Sequence, residues 1–129
     1  MRFLTTPALI TTLCTAAHAD MATYELDPEH TTVFFTIDHI GYAKTLGLFT
    51  TVSGTFMYDA DKQKLGEVNV SIDAASVESF NKTRDAHVRK ADFLDVKKHP
   101  AITFTATGGN AVSDTNGTVT GDLTILGQT

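Results

Sequence analysis

Four segments of the chain alternate between apolar and polar residues, and this pattern limits the fold more than any other feature of the sequence. The segments are TVFFTIDHI at 32–40, VNVSID at 68–73, AITFTA at 101–106 and TVTGDLTIL at 118–126. Successive side chains of a β-strand point to opposite faces of a sheet, so each segment has one largely apolar face and one face rich in Thr, Ser, Asn or Asp. This arrangement is typical of antiparallel sheets that keep one face in water.

A fifth segment, LGLFTTVSGTFMYD at 46–59, breaks the alternation once. Phe49 is out of phase with Val52, and a one-residue slip of this kind indicates a β-bulge, here near Thr50–Thr51. Gly54 fits a tight bend at the corner of a barrel. Together with a short strand near TYELD, the sequence predicts five strands and a short sixth.

Strands with one apolar face must cover that face, and the sequence offers no amphipathic helix long enough to do so. The alternative is a sheet that curls onto itself or packs on a second sheet. A closed barrel around an apolar interior takes about eight strands, which is more than this sequence predicts. We therefore expect an all-β protein, an antiparallel barrel that is incomplete in this chain, with short helical turns between two of its strands.

The first 19 residues have the pattern of a secretory signal peptide. An apolar run from Pro7 to Leu13 is too short to span a bilayer, and small residues lead to a cleavage site after Ala19. We therefore expect a periplasmic or secreted protein with one domain over residues 20–129 and no membrane span. The single cysteine lies in the signal, so the domain must be stabilised by an apolar core without disulfide bonds. A formal net charge of −5 argues against nucleic acid as a partner.

The segment Asn81–Pro100 departs from the strand pattern, because charged residues crowd around a few apolar ones. We expect one or two short helical turns that cover the sheet, with Phe93 dropping into the core. The charged side chains would pair among themselves, Arg84 and Arg89 with Asp85, Asp92 or Asp95.

The Asp85-x-His87 pair within this segment raises two rival hypotheses. A carboxylate can orient an imidazole for acid–base chemistry, as in a hydrolase or isomerase, but no nucleophile motif accompanies the pair. A metal site would draw on His30, His39, His87 or His99, and neither HExxH nor a cysteine cluster supports one. The sequence therefore predicts no catalytic residue and no metal site.

Five stretches occur in an order that is similar to a known family. They are YELDPEHTTVFFTIDHIG, GLFTTVSGTFMYD, VNVSIDAASVES, NKTRDAHVRKADFLDVKKHPAITF and VTGDLTILG, and the most specific pieces are Arg84-Asp85-x-His87, Ala91-Asp92-Phe93-x-Asp95 and Pro100-x-Ile102-x-Phe104. In these residues the chain resembles the YceI-like polyisoprenoid-binding family. The resemblance implies a lipocalin-like barrel, periplasmic or secreted, whose long apolar cavity holds a polyisoprenoid or quinone-like lipid without chemical catalysis or a covalent cofactor. Family members continue past Thr129 with strands that close the barrel.

The inward faces of the strands predict where such a lipid would bind. The apolar cavity would be lined by Val33, Phe35, Ile37, Phe56, Val70, Ile72, Phe93, Phe104, Leu123 and Ile125. Contacts with the ligand head group, or the rim of the cavity, would come from His39, Arg84, His87 and Arg89. Alternation leaves open whether the interior is hollow, since a small barrel can be filled by its own side chains.

The alternative function is a non-enzymatic interaction module with a filled core. Such a module would act through its surface in a stress response, on a membrane cytochrome of the b type or on another envelope partner. The candidate partners are therefore an isoprenoid lipid or similar amphiphile, a second copy of the chain, or such a cytochrome.

Overall fold

Ten antiparallel strands in two sheets occur in the residues that this computed structural model describes, 20–113 and 115–129. The strands are β1 (Ala22–Glu25), β2 (Val33–His39), β3 (Ala43–Phe49), β4 (Val52–Asp59), β5 (Lys64–Asp73), β6 (Val77–Glu78), β7 (Ala101–Ala106), β8 (Gly109–Ser113), β9 (Asn116–Val119) and β10 (Asp122–Thr124). A 3-10 turn at Ala74–Ser76 and one helix, α1 (Lys82–Val88), are the helical parts of these residues. The predicted signal peptide, residues 1–19, lies outside the described residues.

The larger sheet has seven strands in the order β1-β4-β5-β7-β10, with β8 pairing with β5 and with β9. Its register lines up the apolar residues of neighbouring strands in three rows across the inner face. The first row is Val52, Ile72 and Ile102; the second row is Gly54, Val70, Phe104 and Leu123; the third row is Tyr24, Phe56, Val68 and Ala106.

The smaller sheet, in the order β2-β3-β6, joins the larger one at a corner. The chain crosses this corner twice, from β3 to β4 through Thr50–Thr51 and from β5 to β6 through the 3-10 turn. The two crossings are hydrogen-bonded to each other, because the Thr51 N–H donates to Ser76 Oγ at 3.1 Å and the Asp73 N–H donates to the Thr51 carbonyl at 3.0 Å. The prediction of a bulge at Thr50–Thr51 is therefore wrong, since the phase slip marks a change of sheet.

The hydrophobic core lies in this corner and combines side chains of both sheets. Its buried members are Phe49, Val52, Ile72, Ala74, Val77 and Ile102. Three residues of the segment Asn81–Pro100, which belongs to neither sheet, also pack against this core. They are Val88, Leu94 and Val96. The predicted covering role of this segment is thus confirmed at the corner, where it shields the first row.

The two sheets do not close on each other within the described part of the chain. At one edge of the larger sheet β10 pairs with β7, and at one edge of the smaller sheet β2 pairs with β3. This confirms the expectation of an antiparallel, incomplete barrel. The last alternating segment also forms two strands rather than one, because β9 pairs with β8 while β10 pairs with β7.

A glycine makes room for an aromatic ring in the smaller sheet. Phe35 and Gly47 are direct partners across β2 and β3, and a Cβ atom at Gly47 would lie 2.2 Å from Phe35 Cζ. The ring therefore lies over the glycine, with its centroid 5.3 Å from that of Phe49. This contact extends the core from the corner into the smaller sheet.

Candidate functional site

Beyond the buried first row, the apolar inner face of the larger sheet is only partly covered. In the second row Val70 and Phe104 are half-buried, and Leu123 is 50% exposed. In the third row the exposed Tyr24 ring stacks on Phe56, with centroids 5.3 Å apart. Because the rows contain no charged side chain, this face offers apolar contact and little else to a ligand.

The structure brings seven of the ten predicted cavity residues to this face or to the core beneath it. Ile72 belongs to the core, and Val33, Phe35 and Val70 pack against it. The remaining three continue the second and third rows, namely Phe56, Phe104 and Leu123. Their contact with a lipid stays a prediction.

The other three predicted cavity residues lie apart from this group. Ile37 follows Phe35 along β2 but is exposed, and Ile125 lies in a tight turn that two backbone hydrogen bonds with Gln128 close. Phe93 is 50% exposed, and its ring is roughly perpendicular to the His87 ring, with centroids 5.0 Å apart. The prediction that Phe93 drops into the core is therefore wrong.

The reason lies in the turns that follow α1. The Leu94 N–H donates to the Val88 carbonyl at 3.0 Å, and the Val96 N–H donates to the Arg89 carbonyl at 3.3 Å. These bonds fold the chain back so that Val88, Leu94 and Val96 supply the core contacts. Phe93 is then turned outward against His87.

A polar cluster of the buried Ser79 and Asp85 with the exposed Arg84 holds α1 against the end of β6. The Asp85 carboxylate accepts hydrogen bonds from the Ser79 N–H at 2.9 Å and from Ser79 Oγ at 2.5 Å. Arg84 Nε donates to Ser79 Oγ at 2.7 Å, and its Nη2 donates to the Ser79 carbonyl. The helix is further capped by Asn81, whose Oδ1 accepts from two backbone N–H groups of the first turn.

Arg89 ties the end of α1 to the corner. Its Nε donates to the Ala75 carbonyl at 2.7 Å, and its Nη2 donates to the Val77 carbonyl at 2.5 Å. The predicted pairing of Arg84 and Arg89 with nearby aspartates is therefore wrong. Backbone carbonyls at the corner require hydrogen-bond donors, and the planar guanidinium group of one arginine supplies two N–H donors at once.

The four predicted rim residues lie in two places. Arg84, His87 and Arg89 lie on or beside α1, next to the core. His39 ends β2 six residues beyond Val33, which is roughly 20 Å along the strand. A ligand head group would therefore meet either the three residues near α1 or His39, and this role stays a prediction for all four.

Asp85 and His87, the residues weighed for acid–base catalysis, face different partners. The carboxylate is bonded to Ser79, and the imidazole ring is packed against Phe93. Among residues 20–113 and 115–129, no group of three or more His, Cys, Asp or Glu side chains could hold a metal ion. Over the same residues, no helix is both long and apolar enough to cross a membrane.

Two concave regions of the surface lie outside the first and second rows. One, of about 300 Å³, is lined by Tyr58, Leu65 and polar residues of the β8–β9 hairpin. The other, of about 490 Å³, lies on the polar outer face around Glu67, Asn69 and Asp122. Neither includes any of the ten predicted cavity residues.

Sequence reasoning left Tyr24 and Val68 out of the predicted cavity lining, although both lie on the inner face. Tyr24 pairs with Phe56 across β1 and β4, and Val68 pairs with Phe56 on the other side. Val68 shares its alternating phase with Val70, and Tyr24 shares its phase with Leu26, which packs against the core. The same alternation would therefore have identified both residues.

Known proteins are similar to this chain in sequence. The profile of the YceI-like domain matches residues 24–129. A UPF0312 protein of Azotobacter vinelandii is 40% identical over 124 residues, which are 95% of this chain and 65% of that protein. A UPF0312 protein of Pseudomonas putida gives the same figures. The chain thus spans 65% of the length of these curated relatives.

Two solved structures resemble the fold. BcnA of Burkholderia cenocepacia has a TM-score of 0.67 and 27% identity, covering 74% of this chain and 60% of its own. The YCEI protein of Campylobacter jejuni has a TM-score of 0.64 and 36% identity, covering 81% and 61%. Since the domain profile takes in β2 to β10 and the fold agrees with that of a YCEI protein, the chain belongs to the YceI-like domain family.

Proposed function

We propose that the protein binds a polyisoprenoid or quinone-like lipid along the inner face of its sheets, in the periplasm or outside the cell. The observation that supports this is the partly covered second and third rows, which present apolar side chains to solvent. A polar substrate would find no charged partner there, whereas a hydrocarbon chain would bury apolar surface. Membership of a family in which polyisoprenoid binding is known at the family level supports the same ligand class.

The energetics favour a long, apolar tail. Burial of apolar surface contributes roughly 25 cal/mol per Å². A tail that buries a few hundred Å² would therefore contribute roughly several kcal/mol of binding free energy before the cost of ordering the tail is subtracted. Affinity should rise with tail length and depend weakly on the head group, because most contacts are with the tail.

A phosphate or quinone head group would meet donors beside α1. Arg84 is exposed and uses Nε and Nη2 for Ser79, which leaves other N–H donors of its guanidinium group for a ligand. His87 is exposed next to it. The lipid would then lie with its head at the core end of the inner face and its tail along the second and third rows.

The test is to purify the protein natively without detergent and analyse an organic extract by mass spectrometry. We expect an isoprenoid lipid in the extract, and saturable binding of two added probes, a polyprenyl phosphate and ubiquinone. Leu123→Asp places a charge on the second row where the side chain is half exposed, so the fold should survive and binding should fall. Ser71→Asp, on the outer face of β5, is the matched control that should bind normally.

The rival function is an interaction module that acts through its surface. The packed corner of Phe49, Val52, Ile72, Val77 and Ile102 favours it in part, because that end of the structure is filled. It predicts a lipid-free extract and no saturable binding of either probe. That result would contradict our proposal and favour a protein partner in the envelope, such as a b-type cytochrome.

A further inference from the structure

The tip of the β2–β3 hairpin carries two large apolar side chains that the described residues do not cover. Ile40 is 79% exposed and Tyr42 is 92% exposed. They flank Gly41 in the turn that joins the two strands. We propose that this tip inserts into the interfacial layer of a lipid bilayer and so brings the inner face of β2 to the membrane.

The backbone conformation of Ile40 at the tip is unusual for a β-branched residue. Ile40 and Gly41 both have positive φ, 53° and 76°, and the Tyr42 N–H donates to the His39 carbonyl at 3.1 Å. Asn-Gly is the common sequence where both central residues of a hairpin turn have positive φ, and a β-branched residue is a true outlier there. The geometry of the turn does not account for an isoleucine at position 40, so we expect the Ile40 side chain to have a role outside the turn.

The hairpin is a firm support for such a contact. β2 and β3 stay in register over seven residue pairs, from Val33–Phe49 at the core to His39–Ala43 at the tip. One end of the hairpin is therefore anchored in the core, and the other end projects Ile40 and Tyr42. Insertion of the tip would not require any strand to unpair.

The size and charge of the tip favour a bilayer over a protein partner. A stable protein interface buries about 800 Å² on each side, while two side chains offer roughly a few hundred Å². The nearest charges cancel, because Lys44 Nζ lies 2.8 Å from Asp38 Oδ1. With a formal net charge of −5, the chain would be repelled by an anionic surface, so the inferred surface is zwitterionic. Tyrosine is also a residue that favours the membrane–water interface.

The contact would give the inner face access to lipid. Ile37 is exposed and lies on the same face of β2 as Phe35, which packs against the core. A lipid leaving the bilayer at the tip would meet Ile37 first and Phe35 next. This route rests on the proposed function, but the bilayer contact itself can be measured without any isoprenoid.

The absence of tryptophan from the sequence allows a clean test. In Tyr42→Trp the new indole is the only one, and its fluorescence is read with vesicles of phosphatidylcholine, plain and brominated. We expect a blue shift on plain vesicles, unchanged by added salt, and quenching by the brominated lipid. The matched control is Val112→Trp, at an equally apolar position, 69% exposed, on the β8–β9 hairpin; it should show neither effect.

A second substitution separates the tip from the rest of the chain. Asparagine tolerates positive φ, so Ile40→Asn, made in the Tyr42→Trp background, should keep or raise the melting temperature. It should weaken vesicle partitioning by about tenfold, since one buried apolar side chain is lost. An unquenched indole at position 42, equal quenching at position 112, or partitioning that Ile40→Asn leaves unchanged would each overturn the inference. A blue shift that depends on protein concentration rather than on lipid would indicate a second copy of the chain instead, and would also overturn it.

Discussion

The carboxylate of Asp85 receives both hydrogen bonds that Ser79 can donate, one from its backbone N–H and one from its hydroxyl. Both residues are buried. This pair fixes α1 to the strand that precedes it, and it shows that the specific Arg84-Asp85-x-His87 piece of the sequence has a structural role at Asp85. The Asn81–Pro100 segment is thus held by polar contacts on one side and by apolar contacts on the other.

Asp85→Asn should destabilise the protein by about 1.5–3 kcal/mol, because a carboxylate that accepts two bonds is replaced by a neutral amide oxygen, which is a weaker acceptor. Urea denaturation followed by circular dichroism measures the change. Asp92→Asn is the matched control, since its side chain is exposed, and it should change little. Equal stability of Asp85→Asn and wild type would contradict the role of the pair.

Arg89→Lys should lower the free energy of unfolding by about 1 kcal/mol, because one ammonium group cannot reproduce the two-armed contact with the Ala75 and Val77 carbonyls. The same denaturation experiment applies. Lys90→Arg, at the exposed neighbouring position, keeps the charge and should be neutral. A neutral Arg89→Lys would mean that the corner does not depend on the guanidinium fork.

Gly47→Ala should destabilise the smaller sheet, because the new Cβ would meet the Phe35 ring. Replacing Phe35 by the smaller Leu should relieve the clash, so the double variant should be more stable than the sum of the two single changes predicts. Residues in contact commonly show coupling of about 0.5–3 kcal/mol in such a cycle. Additive effects would place the Phe35 ring elsewhere.

Asp59→Asn should remove a pH-dependent part of the stability. The side-chain hydrogen bond from Lys62 lowers the pKa of Asp59 below its usual 3.8 in the folded protein. A lowered folded pKa stabilises the protein above the unfolded value, and this stabilisation is lost as the pH falls through the folded value. The difference in urea midpoint between wild type and Asp59→Asn should thus be constant near pH 6 and shrink below about pH 3.8. A difference that grows on acidification would contradict this sign.

Phe93→Ala should cost only about 1 kcal/mol, because the ring is half exposed and its described ring contact is with His87. Ile72→Ala, in the core, should cost about 2–5 kcal/mol in the same denaturation experiment. A loss at Phe93 as large as at Ile72 would show that the ring is buried in solution.

The strands were predictable because alternation is a local signal. Val68, Val70 and Ile72 lie on the inner face and Asn69, Ser71 and Asp73 are exposed, as their spacing predicts. The incomplete barrel was also predictable, since an apolar face without a covering helix leaves few architectures. What alternation does not carry is the identity of a strand's partners.

The predictions that proved wrong follow from that limit. A one-residue slip at Thr50–Thr51 is the same in sequence whether a strand bulges or the chain moves to another sheet. Arg84 bonds the hydroxyl and carbonyl of Ser79, and Arg89 bonds the carbonyls of Ala75 and Val77, and a charge pattern within the segment does not reveal such partners. Phe93 is as apolar as Leu94, and only the backbone bonds that fold the chain after Val88 decide which of the two faces the core.

The paired crossings at Thr50–Thr51 and Ala74–Ser76 have a mechanical consequence. Because the two crossings lie side by side and are hydrogen-bonded to each other, the angle between the sheets is set at this one corner. A small change of that angle moves the far ends of the strands most and the corner least. If the proposed lipid binds between the sheets, lipids of different width would be accommodated by movement of the distal strand ends, while the side chains packed at the corner keep their neighbours.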